Sequence, residues 1–166
     1  LKLITQECHE YGSKVMIQIT HLGRRTNWNH SDWLPILSAS KVREPAHRAF
    51  PKEAEDWDIE RIIKDYVDAA QRMKEADMDG IEIEAYGHFL DSFWSPATNN
   101  RIDEYGGVLE NRIKFSLKVI EAIRNSVGKK FIIGVRMVTD EDWDKGLSKE
   151  DGLKIAKKII NSNNVD

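Results

Sequence analysis

The hydrophobic positions change period several times along the chain. Leu1, Leu3, Ile4 and Cys8 fit the tail of an amphipathic helix that Gly12 ends. Val15-Met-Ile-Gln-Ile-Thr20 follows as a β-branched run, apolar on both faces until near its end. That pattern predicts a strand covered on both sides, as in a parallel sheet. The stretch from His21 to Trp57 is polar, aromatic and Pro-containing, and too long for an ordinary connection. From Asp58, which fits an N-cap, the period becomes 3.6: Ile59, Ile62, Ile63, Tyr66, Val67, Ala70 and Met73 share a face. Asp79-Gly80 closes this helix and opens the strand Ile81–Ala85. After a loop from Tyr86 to Gly107, a helix carries Leu109, Ile113, Leu117, Ile120, Ile123 and Val127, with Gly128 at its end. Phe131–Met137 reads as a third strand, and Ser148-Lys-Glu-Asp151 as a capping box opening a last helix through Ile160. Strands alternating with helices imply parallel pairing and an α/β fold, either a barrel or a doubly wound sheet.

Composition narrows the function classes. The 25 Lys+Arg against 28 Asp+Glu leave a net charge of −3, with no basic footprint for nucleic acid. No apolar run approaches the roughly 18–20 residues of a membrane helix, so no membrane association is expected. Cys8 is the one cysteine, so it can form neither an internal disulfide nor a metal cluster alone, which fits a reducing, cytoplasmic setting. Nothing at Leu1 reads as a signal peptide.

In parallel α/β folds, sites lie at the carboxyl ends of the strands. Those ends are unusually polar here: Gln18-Ile-Thr20-His21, Glu82-Ile-Glu84-Ala-Tyr86-Gly-His88 and Gly134-Val-Arg136-Met137. Glu82 and Glu84 share a face by strand alternation. Buried, they need a cation, a donor or a shifted pKa, and a structural Glu82–Arg136 ion pair is one solution. Gln18 offers a donor and acceptors suited to the edge of a flat heterocycle, or to backbone groups in the core. Tyr86 and His88 together suit proton handling, although a lone loop histidine is more often a surface residue. Trp28 and Trp33 after the first strand, and Trp94 after the second, could wall a cation site through their faces or simply anchor loops. No glycine-rich phosphate loop follows the first two strands, so no dinucleotide or ATP motif is present there.

Three segments together resemble the Old Yellow Enzyme-like NADH:flavin oxidoreductases. They are Gln18-Ile-Thr-His-Leu-Gly-Arg24, Asp79-Gly-Ile-Glu-Ile-Glu84 and, most distinctive, the eighteen residues from Ser95-Pro-Ala-Thr-Asn-Asn-Arg101 through Tyr105-Gly-Gly107 to Glu110-Asn-Arg112. The resemblance implies an eight-stranded TIM (βα)8 barrel holding FMN, of which residues 1–166 supply about strands three to five. On that mapping Gln18 binds the polar edge of the isoalloxazine pyrimidine, Arg136 sits by N1/O2, and Tyr105–Gly107 is scaffold. A barrel usually needs about 250 residues. The missing initial Met and the polar end therefore read as truncation of a single domain.

One departure points to the substrate. Ene reductases of the family hold a carbonyl with a histidine where this chain has Glu84, and an ionised carboxylate cannot donate to an enone oxygen. Glu84-Ala-Tyr-Gly-His88, with Arg43-Glu-Pro-Ala-His-Arg-Ala-Phe-Pro51 upstream, instead is similar to the amine-demethylating branch, trimethylamine dehydrogenase and the demethylases of dimethylglycine and N-methylproline. The resemblance implies hydride transfer from an N-methyl group to FMN, then imine hydrolysis. Glu84 would attract the cation, Tyr86 and His88 would manage its proton, and Trp94 and Trp28 would line the substrate. The alternatives are an NAD(P)H-dependent ene reductase acting on an enone, or a piece that catalyses nothing alone. An iron–sulfur cluster would need cysteines outside these residues, and a homo-oligomer of the parent protein is expected.

Overall fold

The structure is a computed structural model that describes residues 1–26, 35–46, 48 and 50–166. Its framework is a three-stranded parallel sheet of β1 (Met16–Ile19), β4 (Gly80–Ala85) and β5 (Ile132–Met137), paired in that order. Helix α1 (Lys2–Glu10) precedes it, and α2 (Asp56–Glu75), α5 (Lys114–Val127) and α6 (Lys149–Asn161) follow the strands in turn. Among its described residues, the polar stretch after β1 contains a 3₁₀ turn, Gly23–Arg25, and a parallel pair of two-residue strands, β2 (Leu37–Ser38) and β3 (Lys52–Glu53). The sequence period shows neither. The loop after β4 holds two one-turn helices, α3 (Phe89–Ser92) and α4 (Leu109–Arg112). None of the helices is long and apolar enough to cross a membrane, among the described residues.

Strand alternation decides between the two α/β architectures. Ile81, Ile83, Ala85 and Ile133 point to one face and are buried, where α2 packs on α5 and against β1 and β4. Met16, Gln18, Ile132 and Arg136 point to the other face and are exposed. Neighbouring strands are consecutive in the main sheet, without the reversal of strand order that marks a doubly wound fold. Helices confined to one face of such a sheet make a segment of barrel wall. The expectation that β1 is covered on both sides is therefore corrected: no layer lies over its polar face among the described residues.

The predicted helix faces form the core. Ile59, Ile62, Tyr66 and Ala70 of α2 meet Phe115, Val119, Ile120, Ile123 and Val127 of α5, all buried. Each buried Ile, Val and Phe among them contributes roughly 1.5–3 kcal/mol through the apolar area it removes from water. At the start of α2 the cap moves: Glu55, not Asp58, is the N-cap, and Asp58 reaches back to accept the Glu55 N–H at 3.0 Å. Ser148 caps α6 as predicted, accepting from the Asp151 N–H at 3.2 Å. The predicted helix from Leu109 to Val127 breaks at Ile113, between α4 and α5.

The family-like segment Ser95–Arg112 is a brace. Arg101 is buried, and its Nη1 donates to the Ala39 and Ala54 carbonyls at 3.0 and 2.7 Å. Its Nε donates to both Asp103 oxygens at 3.0 Å. Asn99 Nδ2 donates to the Phe93 and Tyr105 carbonyls, and Arg112 bonds the Trp94 carbonyl and Asp151. Together these bonds fix the loop after β4 to β2, β3 and α6.

Candidate functional site

Register sets the polar face in layers. Gln18 of β1 lies opposite Glu82 of β4, which lies opposite Gly134 of β5. One step toward the carboxyl ends, Glu84 lies opposite Arg136. Gln18 Nε2 donates to Glu82 Oε1 at 2.6 Å. The structural Glu82–Arg136 ion pair considered from sequence does not form, because Arg136 stands one layer higher than Glu82. Arg136 is exposed on this face and has no ion-pair or hydrogen-bond partner among the described residues.

Where β4 ends, the chain turns sharply. Gly87 has φ +75, and a Cβ there would sit 2.5 Å from Arg25 Nη1, so the guanidinium lies directly over the glycine. His88 then opens α3, and Asp91 turns back to accept the backbone N–H groups of Gly87 and, at 2.7 Å, His88. Burial pushes the Asp91 carboxyl above its ordinary pKa, against the pull of those two N–H groups. This turn brings His88 Nδ1 to 3.4 Å from Glu84 Oε2. Tyr86 lies between them in sequence, half exposed at 51%.

A cleft of about 350 Å³ opens beside Tyr86, bounded by Arg25, Asp91, Val138, Asp140, Glu141 and Trp143. It joins the loops after β4 and β5. A larger hollow of about 700 Å³ lies at the opposite, N-terminal ends of the strands, around Lys14, Lys74, Asp79 and Ile132. In barrel folds that end serves stability rather than chemistry. Asp79 illustrates this, accepting from the Val15 N–H at 2.8 Å, His9 at 2.8 Å and Lys14 at 2.9 Å, which hold its carboxyl well below the usual range.

His21, just past β1, is a half-buried support for this region. Its ring rests on Phe89 with centroids 4.6 Å apart, and its Nδ1 accepts the Gly23 N–H at 3.1 Å. Burial, aided by the Arg61 charge, lowers its pKa from 6.5 to about 4. Gly23 is required there, since a Cβ would meet the Phe89 backbone at 2.9 Å.

Of the residues selected from sequence, the structure gathers Gln18, Glu84, Tyr86, His88 and Arg136 at the polar face and its upper rim. Trp94 is a correction. It is 1% exposed and donates its indole N–H to Ser116 Oγ at 2.8 Å, so it fills the core between the β4 loop and α5. Trp28 and Trp33 lie outside the described residues. Sequence reasoning missed Trp143, 55% exposed in the cleft. The rule that selected Trp94, an aromatic residue in a loop after a strand end, selects Trp143 equally. It also missed Asp91, whose signal is the spacing of an acid three residues after the helix-opening His88.

The signature of the NADH:flavin oxidoreductase / NADH oxidase family matches residues 1–165. The chain belongs to this family. It is 53% identical, over all 166 residues, to a probable N-methylproline demethylase of Rhizobium meliloti (strain 1021), of which the match covers 24%. It is 46% identical over 149 residues, 89% of this chain and 22% of the relative, to an N,N-dimethylglycine/sarcosine dehydrogenase of Chromohalobacter salexigens. Among solved structures, histamine dehydrogenase from Rhizobium sp. 4-9 superposes with a TM-score of 0.84 at 27% identity, covering 98% of this chain and 24% of that one. The chain thus spans about a quarter of the length of these relatives. The barrel expectation from sequence agrees with this family's fold.

The polar face fits a flavin. Gln18 presents an amide there, Gly134 contributes no side chain to the same layer, and Arg136 is a cation without a partner among the described residues. An unpaired cation suits the electron-rich edge of a flat heterocycle that gains negative charge on reduction.

Proposed function

We propose that residues 1–166 form the third to fifth strands of an FMN-dependent barrel that oxidatively demethylates an N-methylated amine. The observation that supports this most is Glu84, a carboxylate on the cofactor face held 3.4 Å from His88 Nδ1, at the rim beside Tyr86. Bound FMN would supply the two-electron acceptor for a hydride from the N-methyl carbon. Gln18 and Arg136 would hold it, by its pyrimidine edge and its N1/O2 edge respectively.

This chain's own residues handle charge and protons. Glu84 attracts a protonated amine and orients it, because opposite charges within about 4–6 Å favour each other's ionised forms. Losing a hydride from carbon requires the nitrogen lone pair, so the ammonium must first give up its proton. His88, facing Glu84, is placed to take that proton, and Tyr86 to pass it to the open cleft. The faces of Tyr86 and Trp143 wall the cleft where a cationic substrate enters. Glu84 also counts against an enone, whose oxygen needs a donor at that point.

The test is stopped-flow mixing of the intact, FMN-loaded protein with N-methylproline, N,N-dimethylglycine and cyclohexenone under anaerobic conditions. Reduction of the oxidised flavin by one of the amines is expected, with formaldehyde formed on turnover. Reoxidation of the reduced flavin by cyclohexenone alone would favour ene reduction instead.

A further inference from the structure

Among the described charged side chains of the polar face, Glu82 alone has no part in holding the cofactor or in substrate charge and proton handling. It lies in the middle layer, between Gln18 on one side and Gly134 on the other. A Cβ built on Gly134 would make only ordinary contacts, at 3.8 and 3.9 Å, so that flank is open. Arg136 stands opposite Glu84 instead. Among the described residues the Glu82 carboxylate therefore has a single partner, Gln18 Nε2 at 2.6 Å.

We propose that Glu82 is a positioning residue: its bond to Gln18 Nε2 fixes the end of the amide that meets the cofactor, and its charge holds the flavin's reduction potential down. The inference rests on the flavin reading of Gln18. A glutamine amide is pseudo-symmetric in shape but not in chemistry, with two N–H donors at one end and acceptors at the other. An ionised carboxylate only accepts, so it takes an N–H and leaves the amide oxygen and the second N–H facing away from β4. The choice is made before any ligand arrives, which removes an ordering cost from binding. The short bond to an ionised acceptor is of the stronger class. A flavin held by Gln18 would lie near this carboxylate and would become more negative on reduction, so the Glu82 charge would disfavour the reduced form.

The experiment uses the intact FMN-loaded protein with Gln18→Ala, Glu82→Ala, Glu82→Gln and the double variant Gln18→Ala/Glu82→Ala. FMN dissociation is read by flavin fluorescence, and the midpoint potential by spectroelectrochemical titration. Gln18→Ala and Glu82→Ala are each expected to weaken FMN about tenfold, the loss of one charge-assisted arrangement. The double variant should be no worse than about twofold beyond either single one, because Glu82 acts through Gln18. Glu82→Gln keeps the shape, but its amide can donate as well as accept and carries no charge, so FMN binding weakens, by less than in Glu82→Ala, while the midpoint potential moves positive. Additive losses in the double variant, or an unmoved potential in Glu82→Gln, would overturn the proposal. If Gln18→Ala alone leaves FMN binding intact, the flavin reading of β1 fails, and this proposal with it.

Discussion

Glu84 Oε2 and His88 Nδ1 face each other at 3.4 Å across the turn that joins β4 to α3. Both side chains are mostly covered, at 14% and 15% exposure. Replacing Glu84 by Gln keeps the shape and removes the charge. The expected result is a loss of roughly 10- to 100-fold in kcat/KM for an N-methylated amine, the range of a charged hydrogen-bond partner. FMN affinity and the thermal midpoint should stay unchanged. Equal rates for Glu84→Gln and the unmodified protein would remove Glu84 from the substrate site.

Tyr86 and Trp94 make a contrasting pair. Tyr86→Phe removes a hydroxyl that has no hydrogen-bond partner among the described residues, so stability should hold while the pH profile of amine oxidation shifts. Trp94→Phe strands Ser116 Oγ and loses the buried indole bond, which should cost about 1–3 kcal/mol of stability. Its KM for amines should not change. A raised KM with an unchanged midpoint in Trp94→Phe would restore the wall role that the structure withdraws.

His21 gives the stability a defined pH dependence. Its folded pKa of about 4 lies below the ordinary 6.5, so the unfolded chain binds the extra proton first. The contribution is whole above pH 6.5 and is lost as the pH falls toward 4, by about 3 kcal/mol in total. His21→Asn retains an acceptor for the Gly23 N–H and does not titrate. Thermal midpoints of the intact protein between pH 6.5 and 4 should therefore fall less steeply in His21→Asn. Parallel slopes would show that His21 is not held neutral.

Arg101 braces the long segment after β1. Arg101→Ala would leave the Ala39 and Ala54 carbonyls without this donor and should cost about 3 kcal/mol in urea unfolding. Lys should recover less than half, since one ammonium cannot span two carbonyls and Asp103 in the fork geometry of a guanidinium. Full stability in the Lys variant would mean that charge alone, without the fork, suffices.

The main sheet and the long helices were legible because each obeys a single local period. The apolar positions of α2 and α5 and the alternation in β4 were readable for that reason. The two-residue strands β2 and β3 have no period to read. They are held by their own ladder bonds, Lys52 N–H to Ile36 O and Ala54 N–H to Ser38 O, and tied to the rest by Arg101, 62 and 47 residues from Ala39 and Ala54. The N-cap moved from Asp58 to Glu55 because both acids fit the pattern and only the Asp58 bond to the Glu55 N–H separates them. At the site, strand ends pointed to Gln18, Glu84, Tyr86 and Arg136. Sequence spacing could not tell that Glu82 would take Gln18 rather than Arg136, because register between strands is a tertiary property. The same limit explains Trp94 and Trp143: both follow strands, and packing alone assigns one to the core and the other to the cleft.

The central claim is that Glu84 marks this cofactor face for a cationic N-methyl substrate. Anaerobic mixing of the intact FMN-loaded protein with N-methylproline and with N,N-dimethylglycine tests it most directly. The account predicts that at least one bleaches the flavin's visible band in a single exponential phase, slowed in Glu84→Gln. Full retention of the oxidised spectrum with both amines, alongside rapid reoxidation of the reduced enzyme by cyclohexenone, would contradict it.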